Sequence, residues 1–512
     1  MDSKISNLIE LSYSKGKYQG VFLLFCFLTW LNCNIFHVTI HKLEYFPLIY
    51  SDPPSTEKYE DYNSKICTKL EKNETFYIMY YKTYKYSIVA DLESECDYIG
   101  NFMLSASPYA GSVIGPIIFI FTSQKFTYKS VIFANANLMI ITLVMITRFN
   151  NIYAISVFIM LFSIQVTLVC CSTYLLGIEI ASKKRRALFT TIVYIGLPFS
   201  GLFYNFLFMS LYELHWKGVI GICIFMAGII DLFYYFFTFE SPRNLIKMKR
   251  INEAFDSLGG IAKFNGVEKE FNKLMGTHEY KKFFQSLEDN TNIFYSSINE
   301  NNTGIKGIIK SKSTKKTFLI FCLLWLFANL KDKEDHSPLI KSNQLYDLFS
   351  YTFQIIGIII IGILINIKCL GRKKPLIFAF FCYSITYVVC VFILDKSEMN
   401  FWLFLILLLS NLFYQGGRSL VYLFSIESYP TSMRSTAFGL NVLCGALGNI
   451  IGLCMEELEL EELPQGIVFC VFGIFTGLLA ILLKETYDLQ IEDVENETIE
   501  EMVNSSLVAP DK

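Results

Sequence analysis

The stretch "IESYPTSMRSTAFG", residues 426–439, closes a long apolar run of the sequence. It places Glu427 and Arg434 seven residues apart, with Pro430 between them. Glu427 lies at the end of one predicted helix and Arg434 begins the next. The pair therefore brackets a turn between two apolar segments.

The same arrangement occurs a second time, at "IEIASKKRRALFT", residues 178–190. This stretch also leaves an apolar run, and Arg186 follows Glu179 by seven residues. Two copies of one charged turn indicate that the chain contains an internal repeat.

The composition is that of a membrane protein. Of 512 residues, 53% are hydrophobic and 18% are charged, which is more apolar than a soluble core requires. A helix needs roughly 20 apolar residues to cross a bilayer. We identify twelve candidate runs, of which the seventh is weak: 20–40, 99–121, 129–147, 152–178, 188–211, 217–239, 317–330, 345–367, 375–394, 400–426, 435–455 and 465–483.

The distribution of basic residues predicts the topology. The net charge of -2 argues against nucleic acid as a partner. The clusters at 183–186 and 371–374 and the basic segment 240–316 fall in alternate connections, which the positive-inside rule assigns to the cytoplasm. Both termini are then cytoplasmic, in a membrane that we expect to be the plasma membrane. The first run is too long for the apolar core of a signal peptide and lacks a small-residue cleavage site.

The connection between the first two runs, residues 41–98, is predicted to be extracellular. It holds Cys67, Cys96 and the glycosylation sequon at Asn73. A disulfide and a glycan are expected there. Most other cysteines lie in apolar runs, where a thiol behaves as a small hydrophobic group.

Three features of the second half align with the first at nearly equal offsets of about 245 residues. They are the basic loop after the second and eighth runs, the Glu–Arg turn, and the acidic ends "FES" (239–241) and "KET" (484–486). The sequence thus predicts an all-α membrane protein with twelve transmembrane helices in two pseudo-symmetric six-helix bundles. The predicted divisions are a cytoplasmic N-terminus (1–19), an N-terminal bundle (20–239), a cytoplasmic central loop (240–316), a C-terminal bundle (317–484) and an acidic cytoplasmic tail (485–512).

The charges at the predicted cytoplasmic helix ends suggest a gate. At a partly screened interface such pairs are worth about 1 kcal/mol each, which suits a contact that repeatedly forms and breaks. The alternative is that they are ordinary helix-end charges. The predicted gate residues are Glu179, Arg186, Glu240, Arg243, Arg372, Glu427, Arg434 and Glu485.

Four stretches resemble the organic cation and anion transporter branch of the major facilitator superfamily. The resemblance covers roughly residues 16–490 and implies the major facilitator fold and alternating access around a central site. Its most specific part is the E-x-Y-P-T-x-x-R signature after helix 10. The stretches are "GKYQ" (16–19), "SIVADLESEC" (87–96), "ESPRNL" (240–245) and "ESYPTSMR" (427–434).

This sequence departs from the family pattern at functional positions. The loop after helix 2 has lost its carboxylate and glycine, and the loop after helix 8 has Lys368 at its acidic position. The site in helix 11 that is often charged in the family aligns with Ala446. The charged residues 331–337 cannot face lipid. Either helix 7 ends early, near Asn329, which we expect, or this segment lines a water-filled vestibule.

Charges inside a bilayer are costly and usually functional, and the sequence holds two candidates. Arg418 is a candidate site for an organic anion, and Asp231 is the second charged candidate for a substrate site. The alternative is that they neutralise each other or polar backbone within the bundle. Weaker candidates for the substrate cavity are Asn32, Asn34, Tyr414, Gln415 and Ala446.

No motif predicts an enzyme, a cofactor or a metal site. The sequence therefore predicts a multi-pass carrier of small organic ions or zwitterions, with a small organic solute, the lipid bilayer and a coupling ion as partners. Two alternatives stay open: a transport-deficient protein of the same fold that acts as a sensor or interaction partner, and a sugar-porter-like carrier.

Overall fold

The structure, a computed structural model, contains the twelve predicted helices. It describes residues 2–13, 16–43, 48–51, 76–79, 88–92, 94, 97–181, 185–210, 215–248, 250–278, 280, 304–310, 312–330, 344–394, 401–456 and 462–487. The twelve helices are α1 (Lys17–Leu43), α2 (Tyr98–Lys125), α3 (Tyr128–Arg148), α4 (Ile152–Ile180), α5 (Arg186–Ser210), α6 (Trp216–Phe237), α7 (Lys312–Ala328), α8 (Gln344–Leu364), α9 (Lys373–Leu394), α10 (Phe401–Glu427), α11 (Thr431–Glu456) and α12 (Glu462–Ile481).

Ten of these helices are long and apolar enough to cross a membrane, by the described residues alone. The other two are α7, with 17 residues, and α12, with a shorter apolar stretch at Ile467–Ile481. The weak seventh run is thus the shortest of the twelve helices. Its predicted early end is confirmed, because α7 ends at Ala328. The charged residues 331–337 lie outside the described residues.

The remaining elements lie at the two ends of the bundle. In the connection after α1, strand β1 (Leu48–Ser51) pairs antiparallel with β2 (Phe76–Met79). Cys67, Cys96 and Asn73 fall outside the described residues, so the disulfide and the glycan stay predictions. Short helices are Asp2–Tyr13, Ile88–Asp91, Pro242–Lys247, Ile251–Asn265, Glu268–Met275 and Gly304–Lys310.

We call the end that carries the central segment, residues 240–310, the inner end. The side chain of Asn265 accepts a hydrogen bond from the backbone of Tyr18 (2.9 Å) and donates one to the carbonyl of Ser12 (2.7 Å). The N-terminal helix is thereby tied to the central segment. Thr486, beyond α12, also lies at this end. The described residues near both termini therefore lie at the same end of the bundle as the central segment. The cytoplasmic location of this end stays a prediction.

At the opposite end, which we call the outer end, Asp91 ties the connection after α1 to the start of α6. Its carboxylate accepts from Lys217 Nζ at 2.9 Å and from the Trp216 indole at 3.2 Å. Partial burial raises the pKa of Asp91, but the hydrogen bond and charge of Lys217 outweigh it, so the pKa lies below its ordinary value.

Local sequence fixes where several helices begin. The side chains of Asp97, Thr127 and Asn151 accept hydrogen bonds from backbone N–H groups in the first turns of α2, α3 and α4. These N–H groups have no partner within the helix, so a capping side chain stabilises the start.

The N-terminal bundle, α1–α6, meets the C-terminal bundle, α7–α12, along two seams, α2 with α11 and α5 with α8. Glycines allow the close approach. A Cβ on Gly362 of α8 would overlap Thr191 of α5, and one on Gly439 of α11 would press on Phe119 and Ile120 of α2. Small residues of this kind bring helix backbones together inside a membrane.

Gly357→Ala is expected to destabilise the C-terminal bundle. A Cβ at this position of α8 would overlap the backbone carbonyl of Leu412 on α10, which cannot rotate away. Overpacking of this kind costs about 1–3 kcal/mol. Thermal unfolding of the purified protein measures the effect. Gly221→Ala on α6 is the matched control, because nothing lies within 4 Å of its added Cβ and alanine favours the helix by roughly 0.5–1 kcal/mol. Equal melting temperatures for both variants would contradict the close packing.

Candidate functional site

One face of α10 carries a line of polar and aromatic side chains. Asn411, Gln415, Arg418 and Tyr422 follow one another at spacings of four, three and four residues. This spacing places them on one face of a helix. Asn411 donates to Ser350 on α8 at 3.0 Å. Gln415 is buried, and its Oε1 has no hydrogen-bond partner within the described part of the chain.

At the C-terminal end of this face, aromatic rings from both bundles meet around Tyr422. The nearest ring, Trp325 of α7, lies 4.5 Å away between ring centroids. Tyr194 of α5 is at 5.1 Å and Tyr174 of α4 at 5.6 Å, so rings of the N-terminal bundle pack directly on the C-terminal one. We call this group the aromatic cluster: Trp30, Tyr174, Tyr194, Trp325, Tyr422 and Phe438.

Arg418 lies one helical turn from Tyr422 and is half-buried. Its Nη2 donates to Asn329 Oδ1 at 2.6 Å, and its guanidinium lies 5.6 Å from the ring centroid of Tyr414. Tyr414 in turn donates to the carbonyl of Ala328 at 3.1 Å. Among the described residues no acidic side chain lies within ion-pair distance of Arg418, and its buried Nε has no hydrogen-bond partner. The arginine therefore keeps unused capacity for an anion.

The structure does not bring Asp231 to Arg418. Asp231, on α6, accepts a hydrogen bond from Asn137 of α3 at 2.8 Å. The interpretation that Asp231 and Arg418 neutralise each other does not hold, because each has a different partner in a different bundle. The second carboxylate oxygen of Asp231 is buried without a partner among the described residues.

Asn32 and Asp231 line the same small cavity, which lies between α1, α3, α4 and α6. Asn34 donates to the carbonyl of Trp30 at 2.7 Å, which is a bond within α1. Ala446 is buried on α11, seven residues after Gly439 and hence on the side that packs on α2.

The Glu–Arg turns of the predicted gate form an ion pair across the two bundles at the inner end. Arg434 Nη1 of α11 lies 3.7 Å from Glu179 Oε1 of α4. Glu179 also accepts a short hydrogen bond from the hydroxyl of Ser241. Arg434 further donates to the carbonyls of Ile426 and Tyr429, at 3.3 and 3.1 Å. One ion pair therefore links the two bundles at the inner end.

A second ion pair lies within the C-terminal bundle. Arg372 donates to both carboxylate oxygens of Glu427, at 3.1 and 3.2 Å, and to the carbonyl of Ile365 at 2.9 Å. Thr486 donates to the same carboxylate at 3.0 Å. Thr486 therefore donates to Glu427 in the same way as Ser241 donates to Glu179. Thr486 follows Ser241 by 245 residues, which is the offset that relates the two halves of the sequence.

Among the described residues, Glu240 and Glu485 accept hydrogen bonds from backbone N–H groups and form no ion pair with arginine. Glu240 accepts from the backbone N–H of Lys129 at 2.7 Å, and Glu485 accepts from that of Arg372 at 2.8 Å. Each carboxylate thereby holds the first turn of α3 or α9, where a negative charge is favourable. Burial raises the pKa of Glu240, although the hydrogen bonds from the backbone of Lys129 and Ser241 oppose the rise.

The other predicted gate residues lie at the same end. Arg186 is buried at the start of α5, within electrostatic range of Glu427 and Arg243. Arg243, in the helix Pro242–Lys247, is half-buried. Gln124, in the last turn of α2, donates to Thr436 of α11 at 3.2 Å. The neutral hydrogen bond between Gln124 and Thr436 therefore crosses the two bundles at the same end as the ion pair between Arg434 and Glu179.

The two ion pairs are more buried than the sequence predicted. The prediction was of partly screened pairs worth about 1 kcal/mol or somewhat more each, but the side chains of Arg434 and Glu179 are 0% and 4% exposed, and those of Arg372 and Glu427 are 5% and 7%. Removing one partner of a buried pair typically costs about 3–5 kcal/mol, because the other charge is left uncompensated. The helix ends are covered by the central segment, which sequence spacing does not show.

Sequence reasoning also missed residues of the candidate site. The aromatic cluster was not predicted, since its members come from six different helices and no local pattern connects them. Ser241 and Thr486 were visible in the repeated acidic ends, where each follows the glutamate directly.

Comparison with known proteins settles the family. A family model described as "Sugar (and other) transporter" matches residues 70–497, which is most of the chain. The chain belongs to the sugar (and other) transporter family. The predicted resemblance to the organic cation transporter branch of the major facilitator superfamily is confirmed by the relatives within it. As a member of the sugar (and other) transporter family, the protein is a multi-pass membrane transporter and not an enzyme.

Its curated relatives are divergent. The organic cation transporter protein of Drosophila melanogaster is 22% identical over 94% of this chain and 89% of its own. Solute carrier family 22 member 3 of Rattus norvegicus is 26% identical over 62% of this chain and 54% of its own. Organic cation/carnitine transporter 2 of Rattus norvegicus is 22% identical, with 77% and 68% covered. The transport-deficient and sugar-porter alternatives are not favoured.

Solved structures of xylose transporters show the same fold. The proton:xylose symporter XylE bound to 6-bromo-6-deoxy-D-glucose covers 96% of this chain and 99% of its own, with 14% identity and a TM-score of 0.63. The inward open xylose transporter XylE from E. coli covers 93% and 98%, also with 14% identity, and has a TM-score of 0.56. At this identity the likeness shows the fold alone.

Proposed function

We propose that the protein carries small organic ions or zwitterions that bear a carboxylate, bound between the two bundles at the polar face of α10. The observation that carries this proposal is Arg418: a half-buried cation with no acidic partner among the described residues, one turn from Tyr422. A carboxylate would neutralise the guanidinium, and the aromatic cluster would receive an apolar or ammonium-bearing body.

The proposed mechanism is alternating access, in which the two bundles tilt about the site. In this structure Arg434 and Glu179 close the inner end. We place this end in the cytoplasm of a cell with the protein in its plasma membrane. Residues 1–19, the central loop 240–316 and the tail 485–512 are then cytoplasmic, and the loop 41–98 is extracellular. The bundles comprise residues 20–239 and 317–484. The basic clusters at the inner end support this orientation.

A coupling ion is part of the proposal. Its support is the buried oxygen of Asp231 that has no partner among the described residues. A carboxylate in apolar surroundings is stabilised when a proton or a metal cation neutralises it. Uptake measured with and without gradients of pH and sodium tests this element.

Arg418→Ala tests the substrate site. Vesicles that contain the purified protein are supplied with labelled quaternary ammonium, carboxylate, zwitterionic and neutral sugar solutes. Wild-type protein is expected to show saturable uptake of the carboxylate or the zwitterion. The variant should raise KM for that solute by roughly tenfold to a hundredfold, since a hydrogen bond to a charged group contributes about 1.5–3 kcal/mol.

Two further variants make this test specific. Arg418→Lys should restore part of the affinity, because it keeps the charge but not the two-pronged geometry. Arg250→Ala is the matched control, since Arg250 forms an exposed pair with Glu253 in the central segment. Unchanged KM and selectivity in Arg418→Ala would remove this residue from the site. Absence of flux for every solute would contradict transport itself.

A further inference from the structure

A short basic helix, Gly304–Lys310, precedes α7 at the inner end. We call it the lysine helix. Between residues 304 and 316 the sequence contains five lysines and no acidic residue. Four of these lysines are exposed in the structure, and they are Lys306, Lys310, Lys315 and Lys316. The proposed substrate site uses none of them.

The lysine helix has three distinct sides. Gly307 and Ile308 are buried where the helix packs on α11. Ile305 and Ile309, four residues apart, form an apolar side that is 42% and 58% exposed. Lys306 and Lys310, also four residues apart, form an adjacent cationic side, because residues at this spacing share a helix face. An exposed apolar strip beside lysines is typical of a helix that lies at a membrane surface.

The position of the lysine helix in the chain places it beside the lipid headgroups and beside the contact between the two bundles. Only Ser311 separates it from α7, which enters the bilayer, so the helix lies near the level of the headgroups. Its first residue, Gly304, lies beside Gln124 of α2 and Thr436 of α11, the two residues that bond across the bundles. The helix therefore sits on the seam of the inner gate.

We propose that the lysine helix binds the headgroups of anionic phospholipids in the leaflet at the inner end, and that this binding stabilises the closed inner gate. The lysines supply the charge that a phosphate attracts, and Ile305 and Ile309 supply the apolar surface that the bilayer covers. An acidic protein would match the lysines but would not explain the exposed isoleucines next to a membrane-entering helix. The inference about the gate rests on the proposed alternating access; the lipid contact does not.

The lipid contact is tested with purified protein in vesicles of phosphatidylcholine and phosphatidylglycerol in equal parts. Spin-labelled versions of the two lipids report, by electron paramagnetic resonance, which lipid is enriched around the protein. Wild-type protein is expected to prefer phosphatidylglycerol. The fourfold variant Lys306→Gln, Lys310→Gln, Lys315→Gln, Lys316→Gln should lower this preference by about fivefold or more, since each lysine near an anionic surface contributes about fivefold in association.

The matched control removes four positive charges elsewhere in the central segment: Arg250→Gln, Lys263→Gln, Lys269→Gln and Lys273→Gln, all exposed. It should keep the wild-type preference. Raising the salt from about 0.1 to 1 M shortens the Debye length from about 10 to 3 Å and should weaken the wild-type preference strongly. Equal preference in the fourfold variant and wild type, or no preference in wild type, would overturn the lipid contact.

Hydrogen exchange tests the coupling to the gate without any transport measurement. In vesicles that contain phosphatidylglycerol, backbone amides of residues 304–310 and of the first turns of α11 should exchange more slowly than in phosphatidylcholine alone. The fourfold variant should show no such difference. A wild-type lipid preference without slower exchange at α11 would contradict the coupling and leave the lipid contact in place.

Discussion

Replacing Glu179 with glutamine is expected to shift the protein towards states that are open at the inner end. Glutamine keeps the shape and the contact with Ser241 but removes the attraction to Arg434 across the bundles. Arg434 is fully buried and has no exposed surface through which water could stabilise its charge. A charge-assisted contact of this kind contributes about 1.5–3 kcal/mol, which changes the ratio of the two states by roughly tenfold to a hundredfold.

Spin labels on the two bundles measure this shift. Lys125 at the end of α2 and Lys368 after α8 are both exposed at the inner end, one in each bundle. Their distance distribution, recorded by double electron–electron resonance in a cysteine-depleted protein, should broaden to longer distances in Glu179→Gln. The control is Glu253→Gln, the same substitution in an exposed pair with Arg250. An unchanged distribution in Glu179→Gln would show that this ion pair does not hold the gate.

Replacing Arg372 with alanine should act on folding stability instead of the gate. Arg372, Glu427 and Ile365 all belong to the C-terminal bundle, so their bonds do not depend on how the two bundles are tilted. The variant leaves Glu427 buried, with Thr486 as its remaining hydrogen-bond donor. We expect a loss of about 3–5 kcal/mol in the free energy of unfolding, as for other broken buried pairs.

Thermal or denaturant unfolding of the purified protein checks this value. The control Arg250→Ala breaks an exposed pair with Glu253 and should cost less than about 1 kcal/mol. The double variant Arg372→Ala, Glu427→Ala should be more stable than Arg372→Ala alone, since it removes the uncompensated charge. If Arg372→Ala unfolds like wild type but alters the spin-label distances, the assignment of the two pairs to folding and gating must be exchanged.

Local patterns were sufficient for the helices and their order. Each membrane helix is long because its apolar run must match the thickness of the bilayer, and this requirement is visible in a linear sequence. The early end of α7 was predicted near Asn329 because the charged residues after it cannot face lipid. The shared side of the N-terminal helix and central segment followed from the placement of basic residues.

The candidate site was predicted only in part. Arg418 was found because a charge inside an apolar run is conspicuous, and Tyr414 and Gln415 were found as its neighbours on the chain. Tyr422 and its ring partners were not, because aromatic side chains are common in membrane helices and nothing local distinguishes the ones that meet. Asp231 was identified by the same rule as Arg418, yet it lies with Asn137 in the other bundle.

By itself, the sequence determined that this protein spans a membrane in two similar halves and carries paired charges at its inner helix ends. Only the tertiary structure decided which charges pair: Glu179 with Arg434 across the bundles, and Glu427 with Arg372 within one. The spacing of seven residues is the same in both turns, so spacing cannot assign the partners. The packing of helices that are far apart in the chain determines which charged side chains meet. The same packing buries these side chains, and their burial determines how strongly they interact.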